Sequence, residues 1–196
     1  MDEKARLALE KLLKGNSRHV DGLRKQFVVN RPELAKGQKP FAAIVCCSDS
    51  RVPPELIFDR GYGELFVVRN AGNVVDDIAI GSIEFAVEHL RVPLIFVLGH
   101  ERCGAVATTF HIIKEGSKPR GKLGAIIEKI APAVKKAQII GGQEKEVAIT
   151  ENIKKTVEEI RRSEIISRSL KDGGVAIAAG KYSIKTGEVE LILIEI

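Results

Sequence analysis

Five apolar runs without polar alternation constrain the fold most strongly: FAAIVCC (41–47), ELFVVRN (64–70), PLIFVLGH (93–100), GVAIAAGKY (174–182) and EVELILIEI (188–196). A strand with one face in water alternates apolar and polar residues, because its side chains point to the two faces in turn. Runs that do not alternate belong to strands covered on both faces, the condition of parallel sheets. Between them lie helical patterns at 77–91, roughly 101–114, roughly 123–138 and 144–162. Strands alternating with helices imply right-handed crossovers, and so an α/β fold with a parallel-centred sheet flanked by helices. Lys185-Thr186-Gly187 is too short for a crossover, so the last two runs are expected to form an antiparallel hairpin at an edge.

At ~150 residues per domain, the 196 residues make one domain over 1–196. Residues 1–36 read as a charged, N-terminal helical arm, with helix breaks expected at Gly15-Asn16 and Arg31-Pro32. No apolar run approaches the ~18 residues of a membrane span, and the amino terminus intersperses acids with bases, unlike a signal peptide. The expectation is a cytoplasmic protein with no membrane partner. The formal charge of +5 is mild. Lys135-Lys136, Lys154-Lys155 and Arg161-Arg162 share helices with Glu144, Glu146, Glu151, Glu158 and Glu159, which reads as a solvated, salt-bridged face. With two tyrosines and no tryptophan there is no aromatic-basic interleaving, so no nucleic-acid partner is expected.

The three cysteines, Cys46, Cys47 and Cys103, are an awkward set for a disulfide framework and read better as metal ligands, redox groups or core. In parallel sheets, ligand sites lie beyond the carboxyl ends of strands. Two strand ends here carry unusual residues: Cys46-Cys47-Ser48-Asp49-Ser50-Arg51 and Gly99-His100-Glu101-Arg102-Cys103-Gly104. Zinc favours thiolate and imidazole ligands, and a catalytic zinc keeps three of them plus an exchangeable position. Cys47, His100 and Cys103 make such a set, the last two facing one metal from the first turn of a helix. Cys46, its neighbour's opposite on a strand, should point into the core, although either of the adjacent pair could ligate. Each element alone has a plainer reading: buried cysteines as core, and Asp-x-Arg as a loop salt bridge. Their gathering at strand ends is what favours a metal site.

The text CCSDSRVPPELIFDRGYGELFVVRNAGNVV, then GSIEFAVEHL and VLGHERCGAV, resembles the β-class carbonic anhydrases. The pattern C-x-D-x-R with H-x-x-C about fifty residues later is that family's signature, and GVAIAAGKYSIKTGEVEL is similar to its closing strand pair. The resemblance implies zinc, one ion per chain, on Cys47, His100 and Cys103. It also implies reversible hydration of CO2 to bicarbonate and a proton by attack of zinc-bound hydroxide, with Asp49 and Arg51 as the dyad beside the open position. Gln38, Phe66, Ala71, Phe85 and the Gly104 backbone N–H match positions of the substrate pocket, and Phe66 and Phe85 serve equally well as ordinary core. His89 matches a position proposed as proton shuttle and reads equally as a surface or interface histidine.

Ile44 stands where the bicarbonate-inhibited subtype has tryptophan, so the plant-like, open-site subtype is implied even though Arg69 matches that inhibitory pocket. The apolar helix 77–91 should be buried nearly all round. The family implies a homodimer or larger homo-oligomer, with the N-terminal arm on a neighbour. Two alternatives share these residues: a CS2 or COS hydrolase on the same zinc site, and a non-catalytic zinc- or bicarbonate-binding module.

Overall fold

The unalternating runs become one five-stranded sheet in the computed structural model, which describes every residue except Met1, Val28 and Ile196. Its strands are β1 (Ala42–Cys47), β2 (Leu65–Asn70), β3 (Leu94–His100), β4 (Ala176–Tyr182) and β5 (Val189–Glu195), in the order β2-β1-β3-β4-β5. All neighbours run parallel except β4 and β5, which form the expected antiparallel edge hairpin. The last residue of the fifth expected run, Ile196, lies outside the described residues. Every residue of β1 and β3 is buried, which is why their sequences carry no polar alternation. Since β1 has β2 on one side and β3 on the other, the chain leaves it in one direction and returns in the other. A crevice opens at the carboxyl ends of β1 and β3, and their last residues are Cys47 and His100.

Eight helices lie among the described residues: α1 (Glu3–Val20), α2 (Arg31–Leu34), α3 (Pro54–Ile57), α4 (Asp77–Glu88), α5 (Gly104–Glu115), α6 (Leu123–Ile140), α7 (Glu144–Arg161) and α8 (Glu164–Lys171). Helix α7 lies against β3 and β4, with α5 and α6 packed on it, while α4 lies against β2 and α8. No helix among the described residues is long and apolar enough to cross a membrane.

Helix α1 runs unbroken through Gly15-Asn16, where a break was expected. Asn16 is buried, and its amide side chain supplies bonds that a local reading cannot see. It donates to the carbonyls of Ile57 at 3.3 Å and Gly187 at 2.8 Å, and accepts from the Val189 amide at 2.9 Å. Gly15 is there for approach: a Cβ on it would sit 1.8 Å from the Phe58 carbonyl oxygen. Gly-to-Ala in a helix ordinarily stabilises by about 1 kcal/mol, but a clash with backbone outweighs that. Gly15→Ala is therefore expected to destabilise by ~3 kcal/mol, read by urea unfolding. A variant as stable as the parent would show that α1 lifts away freely.

Two further expectations change. Helix α4 buries only Ala79, Ile83, Ala86 and Val87, whereas Ile78 is 80% exposed and Phe85 45% exposed. The all-round burial expected of this segment is not met within one chain, because only one face meets β2 and α8. The charged α6–α7 face is also less solvated than expected. Glu151 is buried and receives Lys136 at 2.5 Å and Lys154 at 2.8 Å.

Candidate metal centre

Cys47 ends β1, His100 ends β3, and Cys103 caps the N-terminus of α5, so three elements converge on one point. Their ligand atoms all lie within 4.8 Å of one another, and the two sulfurs are 4.0 Å apart. Bonds of about 2.3 Å from zinc to sulfur put two thiolates of a tetrahedron ~3.8 Å apart, so the spacing suits that metal. The imidazole is already oriented. His100 Nδ1 donates to the Glu101 carbonyl at 2.8 Å, which leaves Nε2 without its proton. That Nε2 is buried with no hydrogen-bond partner, an orphan that a metal ion would satisfy.

The spacing of His100 and Cys103 works differently from expectation. Residues 101–103 form no helical turn: α5 starts only at Gly104, and Arg102 takes a left-handed φ of 54° that folds the loop back toward β3. Cys103 thereby meets the amides of Ala105 and Val106, which favour its thiolate. Between the two thiols, hydrogen bonding from Cys103 pulls Cys47 down to about 4, helped by the amides of Gly72 and Asp49, while Cys103 is pushed up in exchange. Cys46 behaves as core. It is fully buried, and burial pushes its thiol up to about 12.

Asp49 and Arg51 form a fork. Arg51 Nε donates to Oδ1 at 2.9 Å and Nη2 to Oδ2 at 2.7 Å, with the Arg51 amide adding a third bond at 3.0 Å. Chiefly through that guanidinium, the carboxyl is held well below the usual carboxylate range and stays ionised. Its Oδ2 also lies 3.9 Å from His100 Nε2, so the dyad borders the ligand cluster. Arg69 acts on the backbone of the same loop, donating to the carbonyls of Cys47 at 3.0 Å and Asp49 at 2.8 Å. The Gly72 amide, 3.3 Å from Cys47 Sγ, is a contact that sequence reasoning missed; only the glycine itself hinted at it.

The remaining pocket candidates divide. Ala71 opens the turn that carries Gly72, and Gly104 opens α5 beside Cys103 with open space where a side chain would be, so both belong to this end of the sheet. Phe66, Phe85 and His89 form a stack, with ring centroids 6.2 Å and then 5.0 Å apart. Phe66 pairs with Ala43, four residues along β1 from Cys47, or roughly 13 Å back from the ligands. Gln38 precedes the start of β1, in a groove with Leu34, Lys39, Tyr62 and Glu64. The chain thus does not bring its own Gln38 to its own ligand cluster.

Comparison with known proteins agrees with this geometry. The family profile described as Carbonic anhydrase matches residues 42–189. The carbonic anhydrase of Mycolicibacterium smegmatis is 39% identical over 188 residues, covering 94% of this chain and 91% of that protein. Carbonic anhydrase 2 of Mycobacterium tuberculosis is 41% identical over 192 residues, with the same coverage of 94% and 91%. Among solved structures, the β-carbonic anhydrase CcaA superposes with a TM-score of 0.71 at 29% identity, over 94% of this chain and 85% of that one.

Proposed function

Since the chain belongs to the β-carbonic anhydrase family of enzymes, we propose that it interconverts CO2 with bicarbonate and a proton at a zinc ion held by Cys47, His100 and Cys103. The observation that carries this is the orphaned Nε2 of His100, aimed between two thiols and bordered by Asp49. Zinc, when bound, acidifies the water in its exchangeable position and so supplies hydroxide near neutral pH. Two thiolates offset its charge more than imidazoles would, so the surrounding groups carry more of the task.

Asp49 is the group placed for it. Arg51 occupies both its oxygens and keeps it anionic, which leaves an acceptor lone pair to orient the attacking oxygen. The Gly104 amide, in the first turn of α5, is free of intrahelical duty and suits a bicarbonate oxygen. The distance of Gln38 and Phe66 from their own ligands supports a second copy of the chain completing each pocket, in a homodimer or larger assembly. The half-exposed Phe66–Phe85–His89 stack would line that junction, with His89 at the end of α4 handing protons to solvent.

The seating of Asp49 on Arg51, with Ile44 in the core where the inhibited subtype has tryptophan, favours an open site without cooperative bicarbonate inhibition. Stopped-flow CO2 hydration across pH, with zinc measured on the same sample, tests the whole reading. One zinc per chain and a smooth pH profile are expected. A zinc-loaded protein that hydrolyses CS2 or COS but leaves CO2 untouched would sink the activity, and one inert to all three would be a binding module. A steeply sigmoidal loss on acidification would sink the open site alone.

A further inference from the structure

The turn at 71–73 passes through two consecutive left-handed residues, Gly72 (φ 79°) and the non-glycine Asn73 (φ 47°). A left-handed non-glycine is uncommon, and asparagine is among the residues that tolerate it best where the surroundings hold the turn. The surroundings here are specific. A Cβ on Gly72 would lie 2.7 Å from Ile130 Cδ1 on α6 and 3.0 Å from Ala105 Cβ on α5, so the turn is wedged between those helices.

Helix α7 then clamps it. Asn152 Nδ2 donates to the Gly72 carbonyl at 2.8 Å. One helical turn later, the Thr156 hydroxyl donates to the Asn73 carbonyl at 3.0 Å, shared with the Asn152 carbonyl of its own helix at 2.9 Å. Both side chains are buried, 2% and 3% exposed. Between them on α7, Ile153 packs onto Gly99, where a Cβ would fall 2.4 Å from Ile153 Cδ1. Gly99 immediately precedes His100, so α7 is seated on the strand that presents the imidazole ligand. With both carbonyls of the turn engaged by α7, the Gly72 N–H is left directed at Cys47 Sγ, 3.3 Å away.

We propose that Asn152 and Thr156 are positioning residues for the metal centre: by clamping the 71–73 turn they hold the Gly72 N–H on the sulfur of Cys47, which draws charge off that thiolate and sets how it binds metal. An N–H donor lowers the energy of sulfur lone pairs, and groups one step removed from a metal typically change its affinity about 10- to 100-fold. The proposal rests on Cys47 being a metal ligand, and the experiment separates the two claims.

Thr156→Val and Asn152→Leu keep size and remove the donors. In cobalt-substituted protein, both are expected to shift the sulfur-to-cobalt charge-transfer band to lower energy, and from the zinc form they should release metal to a chelator about 10-fold faster. Thr156→Ser, which keeps the hydroxyl, should restore both. Variants that melt earlier yet keep the parental band and release rate would reduce the clamp to a stability device and overturn the proposal. So would a Thr156→Ser that behaves like Thr156→Val. Should the apolar variants not fold, NMR of the cadmium-loaded parent decides: coupling from cadmium to the Gly72 amide proton through Cys47 supports the proposal, and its absence overturns it. A parent chain that takes up neither cobalt nor zinc would instead remove the metal reading itself.

Discussion

Cys103→Ser is expected to lose bound zinc and CO2 hydration together, with activity falling about 1,000-fold or more. The size follows from what a metal contributes, several kcal/mol of transition-state stabilisation at ~1.4 kcal/mol per factor of ten. A serine hydroxyl does not ionise near neutral pH, and as a harder ligand it holds zinc poorly beside one thiolate and one imidazole. The position sharpens the loss: Cys103 is 2% exposed at the start of α5, closed off from solvent ligands. Cys46→Ser is the control. Cys46 is as buried as its neighbour but belongs to the core, so that variant should lose stability and keep zinc. Metal analysis with stopped-flow assay on both proteins checks this. Zinc-loaded, active Cys103→Ser, or zinc-free Cys46→Ser, would mean that the ligand set is wrong.

Arg51→Ala should separate metal from activity: zinc stays near one per chain while hydration falls by roughly 100- to 1,000-fold, the range for removing one well-placed polar group from a reacting centre. Both forked bonds from Arg51 end on Asp49, and Asp49 Oδ2 already lies 3.9 Å from His100 Nε2. Without the guanidinium, the carboxylate is free to rotate into the exchangeable position and block it. Arg51→Lys should recover only part of the activity, because an ammonium is a point charge and cannot reproduce the fork. An Arg51→Ala protein that hydrates CO2 at the parental rate would dispose of the dyad.

Much of this was legible because it is written locally. β1 and β3 are buried from end to end, and unbroken Val, Ile and Leu runs mark such strands within a residue or two. The chemistry of Cys47, Asp49, Arg51, His100 and Cys103 also stood out, since these residue types are unusual where buried strands end. What escaped was long-range or short. Nothing near Asn16 announces that its amide reaches Ile57 and the hairpin residues Gly187 and Val189 far along the chain, so a local reading breaks the helix there. The eight-residue α8 is too short for periodicity to declare itself, although Ser163, whose hydroxyl accepts from the Ile166 amide, is a legible start signal. The contact of Asn152 with Gly72 joins residues 80 apart, and nothing around Asn152 in the sequence announces it. The exposure of Ile78 and Phe85 shows the opposite limit: apolarity states that a face will be covered, not by which molecule.

Strand β2 exposes a single chain to pairing with others. It is an edge of the sheet, its residues Leu65 to Val68 are apolar and only partly covered, and its outer row of backbone donors and acceptors has no neighbouring strand among the described residues. Proteins commonly guard such edges with a charge, and the one charged residue here, the exposed Arg69, commits its guanidinium to the carbonyls of Cys47 and Asp49. The arginine that ties down that loop thus leaves the stretch from Leu65 to Val68 without a charge of its own. A newly made chain therefore offers this edge as a template for strand addition by another unfolded chain.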